Sequence, residues 1–415
     1  MQEEALQVIP NNQSTVLLSP TGSGKTLAFL LPLITNLNID SKQTQIIIIV
    51  PSRELAIQIE QVIREMGAGF KAIALYGGRS FSKDKLDLKH PPTLIVGTPG
   101  RIADHLRKDT FDTTEVNTLI LDEFDKSLEV GFESEMKEIL SLLPNLDKKI
   151  LTSATQGIEI PKFAGLVNPV TVDFLKEAHT SQLKLETITS PSKDKLETLL
   201  KAVKQLEGNR GIIFCSFKDT IERVSDHLFD NNINHSCFYG GMEQIDRERS
   251  LIKFRNGSNQ ILIATDLAAR GIDIPEINYI IHYQLPLKKE EFIHRNGRTA
   301  RMNSEGTAYI LKWKEERLPE FIPQTKEANF RSESLKEIIS WETLYISGGR
   351  KDKISKGDIA GLFFKQGNLN KDQLGTIELK QDCAFVAVPK TEAKKLIKSL
   401  DNSRLKKKKV RIKLI

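Results

Sequence analysis

The sequence predicts an α/β protein in which two tandem doubly wound parallel-sheet domains precede a small α+β domain. Three observations lead there. Short β-branched runs alternate with helix-length amphipathic stretches, the pattern of repeated βα units. That alternation occurs twice, with a join near residues 176–184. A different pattern then fills residues 341–415 and carries the positive charge.

The first series of runs is Val16–Leu18, Ile46–Val50, Ala72–Leu75, Leu94–Val96, Leu119–Leu121 and Ile150–Thr152. Several are apolar throughout, as parallel strands covered on both faces should be. The second series is Ile212–Cys215, Ile261–Ala264, Tyr279–His282 and Ala308–Leu311. Residues 314–340 are rich in Lys and Glu and contain Pro319 and Pro323, which suits a helical extension or linker. From Thr343 onward, Leu344–Ile346 and Ala384–Val388 read as strands, Glu392–Leu400 as a helix and Val410–Ile415 as a last strand.

A chain of 415 residues suits two or three domains, each with its own core. Charged residues make up 27% and hydrophobic ones 39%, ordinary values for a soluble globular protein. The net charge is +6, but residues 341–415 hold 18 Lys+Arg against 8 Asp+Glu, a net of +10, and the rest of the chain carries −4. A local basic segment is the footprint of a polyanion partner, or else simply a solvated surface. Cys215, Cys237 and Cys383 are too far apart in sequence for metal-ligand spacing, and a disulfide framework is not expected. The first ten residues carry Glu3 and Glu4 without an apolar core, so no signal peptide is expected. The most continuous apolar run, Ile46–Val50, is far short of the roughly 20 residues a bilayer span needs. The expectation is a cytoplasmic monomer with no membrane contact.

Ser19-Pro-Thr-Gly-Ser-Gly-Lys-Thr26 follows a strand and opens a helix. Gly22 and Gly24 let backbone N–H groups curl around an anion, with Thr21 and Ser23 between them, and the helix N-terminus adds its partial positive charge. Lys25 can reach the β- and γ-phosphates of ATP, and the Thr26 hydroxyl can hold Mg²⁺. Ser19 stands where the strict phosphate-loop pattern has Gly. The strand Leu119–Leu121 leads into Asp122-Glu123-Phe124-Asp125, at the edge where open α/β sheets bind ligands. Acids after a strand are common on surfaces, but a phosphate loop needs carboxylates opposite it. Asp122 would then hold Mg²⁺ and Glu123 would polarise the attacking water.

Together these residues resemble the DEAD-box family of superfamily 2 helicases. The ordered matches are Gln2, Ser19–Thr26, Pro51-Ser-Arg-Glu-Leu-Ala56, Gly77-Gly78, Thr98-Pro-Gly-Arg101, Asp122–Asp125, Ser153-Ala-Thr155, Ile213-Phe-Cys-Ser216, Gln244-x-x-Arg247, Ala264–Asp273 and His294–Arg301. They run through residues 1–312 in the family's order. The resemblance implies two RecA-like domains at 1–178 and 183–318, with a linker at 319–340. It also implies that Gln2 reads the adenine edge, and that Ser153 and Thr155 couple nucleotide to strand separation through Asp125. Gly271 and Asp273 would meet the ATP, His294 would bridge to the acidic loop, and Arg298 and Arg301 would serve as arginine fingers. RNA would be held by its backbone at Pro51, Arg53, Gly78, Thr98, Arg101, Gln244, Arg247, Thr265 and Asp266. Thr98-Pro-Gly-Arg101 also reads as a bare turn. Two departures stand out. Phe124 replaces the Ala of the family's acidic box, so a ring must find room against neighbouring helices. An aromatic upstream of Gln2, which in the family stacks on adenine, is absent from a chain beginning at Met1 or comes from another segment.

Residues 341–415 resemble the DbpA-type RNA-binding domain, an RRM-like fold. The matching stretches are Leu344–Lys353, Gly357–Gly361, Cys383–Pro389 and Leu405–Ile415. In such a sheet exposed aromatics stack on unpaired bases. Tyr345 and Phe385 lie in candidate strands, and either could instead be core. Arg350, Lys351, Lys353, Arg404, Lys406–Lys409 and Arg411 would contact phosphates. The resemblance implies an ATP-dependent RNA helicase acting on ribosomal RNA in ribosome assembly. Its rivals are a DNA helicase of the same superfamily and an ATP-gated RNA clamp in which Phe124 uncouples hydrolysis.

Overall fold

A computed structural model describes residues 1–20, 22–129, 131–154, 160–175, 182–266, 274, 277–299, 305–329 and 340–415. The chain divides into two compact units, one beginning at Met1 and one beginning at Gln182 and running to Ile415. The join expected near residues 176–184 lies largely outside the described residues.

In the first unit, among the described residues, the elements run α1 (Gln2–Asn11), β1 (Ser14–Leu18), α2 (Lys25–Ile34), β2 (Ile46–Ile49), α3 (Arg53–Glu65), β3 (Ala72–Leu75), α4 (Phe81–Leu88), β4 (Leu94–Gly97), α5 (Pro99–Arg107), β5 (Thr118–Leu121), α6 (Phe124–Glu129), α7 (Glu133–Ser141), β6 (Lys148–Ser153) and β7 (Val170–Asp173). All strand pairs are parallel, in the order β3-β4-β2-β5-β6-β1-β7. The four isoleucines of β2 are buried on both faces, because helices cover the sheet on both sides. Leu17, Ile46, Ile48 and Ile120 pack toward α1, α2 and α3, while Ile47, Ile49, Leu119 and Leu121 pack toward α5 and α7. Ser52 caps α3, its hydroxyl accepting from the Leu55 N–H at 3.2 Å. The expected strands are all present. The edge strand β7 was not expected; three of its four side chains are exposed, so it has no buried apolar run to read.

The second unit repeats the architecture with β8 (Gln182–Ser190), α8 (Leu196–Gln205), β9 (Gly211–Phe214), α9 (Lys218–Asp230), β10 (His235–Phe238), α10 (Gln244–Arg255), β11 (Ile261–Ala264), β12 (Tyr279–His282), α11 (Lys289–Asn296), β13 (Glu305–Trp313) and β14 (Lys326–Glu327). Its parallel order is β10-β11-β9-β12-β13-β8-β14. The stretch read as a linker thus supplies β14 to the sheet, pairing Lys326 with Glu186. Residues 330–339 lie outside the described residues.

The C-terminal part comprises β15 (Trp341–Ile346), α12 (Lys356–Lys365), β16 (Ile377–Leu379), β17 (Ala384–Pro389), α13 (Lys390–Leu400), the hairpin β18 (Arg404–Leu405) and β19 (Lys408–Lys409), and β20 (Ile412–Leu414). Its sheet is antiparallel in the order β16-β17-β15-β20. Leu344, Ile346, Ala384, Val386 and Val388 point to the two helices and form the core. Ser355 and Asp358 cap α12 reciprocally, a box that the sequence reading missed. The Ser355 hydroxyl, with Lys406 beside it, holds the Asp358 carboxyl down at about 2.

Candidate functional site

The phosphate loop joins β1 to α2. Gly22 and Gly24 adopt φ of 83° and 89°, a region glycine enters without steric cost. Lys25 is buried, and its ammonium donates to the carbonyl oxygens of Ser19 at 2.5 Å and Pro20 at 3.0 Å, which holds the charge at the loop's centre. The Ser19 and Ser23 hydroxyls bond each other, so the serine in place of glycine is used inside the loop. Gln2 reaches the same place from α1: its carboxamide donates to the Ser23 carbonyl at 3.3 Å. A Cβ at Gly24 would stand 2.3 Å from Gln2 Nε2, so a side chain there would displace the Gln2 carboxamide, besides straining the φ. Thr26 lies in the first turn of α2, and Thr21 lies outside the described residues.

The acidic loop leaves β5, which flanks β6 on the side opposite β1. Asp122 is 3% exposed. Its Oδ1 accepts from the Thr152 hydroxyl and, at 3.1 Å, from the Glu123 N–H. Burial pushes the Asp122 carboxyl above the usual range, against the pull of the Thr152 bond and the Lys25 charge. Glu123 has φ of 48°, a left-handed backbone uncommon for a non-glycine residue, and its N–H is also held by Thr152 Oγ1 at 3.2 Å. The Phe124 ring enters the core lined by Leu121, Ile102 and Ile139, which leaves Asp122, Glu123 and Asp125 at the strand end. Asp125 is buried with Lys126, 3.4 Å away. Ser153 is buried at the end of β6, and its carbonyl accepts from the Ser19 N–H at 3.1 Å. Thr155 lies outside the described residues. The sequence reading missed Thr152; its signal was a hydroxyl residue directly before Ser153 on the strand next to Asp122.

Asp122, Thr26 and Thr152 present hard oxygen donors, the kind Mg²⁺ accepts. Among the described residues no cluster of three or more His, Cys, Asp or Glu suits a metal ion.

On the same unit, the Arg53 guanidinium lies against Gly77 and Gly78, and a Cβ at Gly78 would come within 2.5 Å of it. Pro51 is buried before α3, and Thr98 is the N-cap of α5. Arg101 is less available than expected. It donates to Asp84 at 2.7 Å and to the Arg79 carbonyl at 2.6 Å. Asp84 is fully buried and also meets His105 at 3.3 Å. Burial disfavours the Asp84 charge, yet the bonds from His105 and Arg101 hold its carboxyl below the usual range. The guanidinium of Arg101 is therefore committed to the protein as a structural tie.

In the second unit, Gln244 and Arg247 share the first turn of α10, with the Arg247 guanidinium 4.8 Å from the Phe238 ring centre. Thr265 and Asp266 follow β11. Asp266 is not free to meet a ligand as expected: both its oxygens accept from Arg295, at 2.5 and 2.6 Å. Arg295 is 2% exposed and donates again to the Gln284 carbonyl at 2.6 Å. It stands between His294 and Arg298, inside a stretch the sequence reading quoted without assigning it a role. His294 is half-buried in α11, and Arg298 is buried just after it. Gly271, Asp273 and Arg301 lie outside the described residues.

In the C-terminal part, Phe385 pairs across the strands with Tyr345, their rings 5.7 Å apart, and Lys413 sits 5.2 Å over Tyr345. Phe385 is only 7% exposed, so of the two readings left open for it, the structure shows burial. Glu378, opposite Phe385, accepts two bonds from Arg255 of α10 at 2.7 and 2.8 Å, and Thr343 meets Ser258 at 2.5 Å. This face of the small sheet is therefore packed on the end of α10. Lys406 pairs with Asp358 at 2.9 Å and Lys408 with Asp352 at 2.8 Å. Arg404, Lys407, Lys409, Arg411, Lys351 and Lys353 are exposed, and Arg350 is half-buried.

The DEAD/DEAH box helicase model matches residues 1–163, the helicase conserved C-terminal domain model residues 194–303, and the DbpA RNA binding domain model residues 343–414. The chain is 31% identical to the ATP-dependent RNA helicase DbpA of Bacillus subtilis, over 99% of this chain and 93% of that protein. It is 30% identical to the ATP-dependent RNA helicase DbpA of Escherichia coli, over 100% and 94%. Against the ATP-dependent RNA helicase DeaD of Escherichia coli the identity is 33%, over 72% and 48%. Among solved structures, S. cerevisiae Dbp5 bound to RNA and ADP BeF3 matches with a TM-score of 0.67 at 28% identity, over 76% of this chain and 83% of that one. The DEAD-box helicase Mss116 bound to ssRNA and UDP-BeF gives a TM-score of 0.67 at 26% identity, over 75% and 69%.

Proposed function

The chain belongs to the DEAD-box ATP-dependent RNA helicases, in the branch with a DbpA RNA-binding domain, and from that premise we propose that it hydrolyses ATP to separate short duplexes or remodel ribosomal RNA during assembly of the large subunit. The observation that carries the reading is the convergence of Lys25, Asp122 and Glu123 at the ends of β1 and β5, in a chain whose last domain is basic. Lys25 steadies the terminal phosphates, and Gln2 pairs with the adenine edge. Asp122 and Thr26 would hold Mg²⁺, which would supply charge neutralisation to the triphosphate. Glu123 accepts a proton from the attacking water, its left-handed backbone held by the bonds of its N–H to Asp122 and Thr152. Asp125 and Ser153 couple the nucleotide to the RNA. Arg53 and Gly78 take the RNA backbone, a contact without sequence information. Among the described residues no helix is long and apolar enough to cross a membrane, and the proposed setting is a cytoplasmic monomer. The test is ATPase activity with a ribosomal RNA fragment against DNA of the same sequence. Stimulation by RNA alone is expected; equal stimulation by DNA would favour the DNA-helicase reading.

The C-terminal domain is expected to choose the RNA. A chain ending at residue 340 should keep its ATPase at saturating RNA and lose any preference among RNAs. That deletion removes the carboxylate partner of Arg255, so the melting temperature is measured beside it. A gentler variant changes Lys407 and Lys409 to Gln, both exposed and outside the ion pairs among the described residues. Binding should weaken for all RNAs, and the salt slope should fall by roughly 0.7–0.9 per lost phosphate contact. An unchanged slope would place the phosphate contacts elsewhere.

A further inference from the structure

The helix α1, which carries Gln2, has no basic residue in its own last turn and contains Pro10 near its end. Among its last carbonyls, those of Gln7 and Val8 accept from the Asn11 and Asn12 carboxamides at 2.7 Å each, and the helix has no cation of its own there. Lys148, the first residue of β6, supplies what is missing. Its ammonium donates to the carbonyl oxygens of Ile9 at 2.7 Å, Pro10 at 3.2 Å and Asn12 at 2.7 Å. A cation at a helix C-terminus also complements the helix dipole. Two further bonds tie the same place: the Lys149 N–H donates to the Gln13 carbonyl at 2.7 Å, and the Gln13 carboxamide donates to Asp147 at 2.8 Å.

The other end of β6 lies at the nucleotide loops. Thr152 bonds Asp122, and the Ser153 carbonyl accepts from Ser19. One six-residue strand thus grips the end of the helix bearing Gln2 at its start and the phosphate-binding machinery at its finish. Ala5 and Ile9 bury the inner face of α1, and only Asn12 and Gln13 join it to β1, so packing and the short link limit its axial position. Three directed bonds from a half-buried ammonium add to those restraints. At the far end of the helix, the Gln2 carboxamide donates to the Ser23 carbonyl at 3.3 Å, over the place where a Cβ on Gly24 would stand.

We infer that Lys148 is a positioning residue for base selection: by capping the end of α1, it sets where the Gln2 carboxamide meets the adenine. This rests on the reading of Gln2 as the group that pairs with the base. Burial lowers the Lys148 pKa and Asp147 opposes it, in keeping with an ammonium enclosed by carbonyls.

The test is steady-state ATPase of the full chain at saturating RNA, with ATP and with GTP. The variants are Lys148→Met, Lys148→Arg, Gln2→Ala and the Gln2→Ala/Lys148→Met pair. Gln2→Ala should cut the ATP-over-GTP preference in kcat/KM by about tenfold or more, the range expected for a carboxamide paired with adenine. Lys148→Met should cut it by roughly three- to tenfold, a part of that discrimination, mainly by raising KM for ATP. Lys148→Arg should restore most of it, and the double variant should lose no more than Gln2→Ala alone. If Lys148→Met melts below the assay temperature, Lys148→Gln carries the same comparison. Preference lost with Gln2→Ala but kept with Lys148→Met or Lys148→Gln overturns the inference. So does an equal fall in kcat for both nucleotides, which marks a general loss of structure. If Gln2→Ala itself leaves the preference unchanged, the reading of Gln2 fails, and the inference falls with it.

Discussion

Lys25→Ala is expected to reduce RNA-stimulated ATP turnover by at least about 10²–10³-fold, the loss seen when a preorganised charge-stabilising donor leaves an active site. Within the phosphate loop, Ser19, Gly22, Ser23 and Gly24 offer only hydroxyls and backbone groups, so Lys25 is its sole cation. Its ammonium is already held in place by the Ser19 and Pro20 carbonyls, so little reorganisation precedes binding. The same two bonds mean that the alanine variant loosens the loop, and a melting curve run in parallel separates misfolding from lost chemistry. Glu123→Gln is the informative partner. It keeps the size of the side chain and the bonds of the Glu123 N–H to Asp122 and Thr152. It should therefore still bind ATP and RNA but stall before hydrolysis, giving a long-lived RNA complex. Single-turnover ATP cleavage and RNA dissociation rates measure the two arms. Lys25→Ala turning over ATP within tenfold of the parent chain would remove Lys25 from the proposed machinery. Glu123→Gln at the parent rate would do the same for the base.

Arg295→Ala should be the most damaging change in the second unit. The guanidinium is 2% exposed, with both Asp266 oxygens and the Gln284 carbonyl as acceptors. Beside it, burial takes the His282 imidazole down to about 3, so that ring stays neutral and bonds Asn296 at 2.9 Å. Removing the arginine leaves a carboxylate in a site built for an ion pair. Breaking a buried pair this way costs about 3–5 kcal/mol. At roughly 2–4 °C per kcal/mol for a domain of this size, the melting temperature should fall by roughly 6–20 °C. Arg295→Lys keeps the charge but cannot make the two-pronged bond, so it should lie between. Because Asp266 follows Thr265 at the end of β11, RNA affinity should weaken in the same order as stability. Thermal unfolding followed by circular dichroism reads the first effect. A melting temperature within about one degree of the parent would mean that the pair contributes almost nothing, as exposed pairs do.

What the sequence determined by itself was everything carried by short-range spacing. Apolar runs such as Ile46–Val50 named the strands, because burial on both faces leaves no polar alternation. Gly22, Gly24 and Lys25 named the phosphate loop, because backbone curvature and a following helix suffice to define it. Asp122 and Glu123 followed from their place at a strand's end. Strands without such a signature, β7, β8, β10, β14, β16, β18 and β19, stayed unread; β14 has just two exposed residues inside a stretch that resembled a linker. Side-chain commitments were also beyond reach. Arg101 is spent on Asp84, Asp266 on Arg295, and the face bearing Phe385 packs on α10 through Arg255 and Glu378. Lys148 reaches back 139 residues to cap α1, and Arg255 meets Glu378 across 123. No periodicity links positions so far apart. Only the tertiary structure decided which polar groups face each other, because a buried charge must find its partner wherever the fold brings one within hydrogen-bond distance.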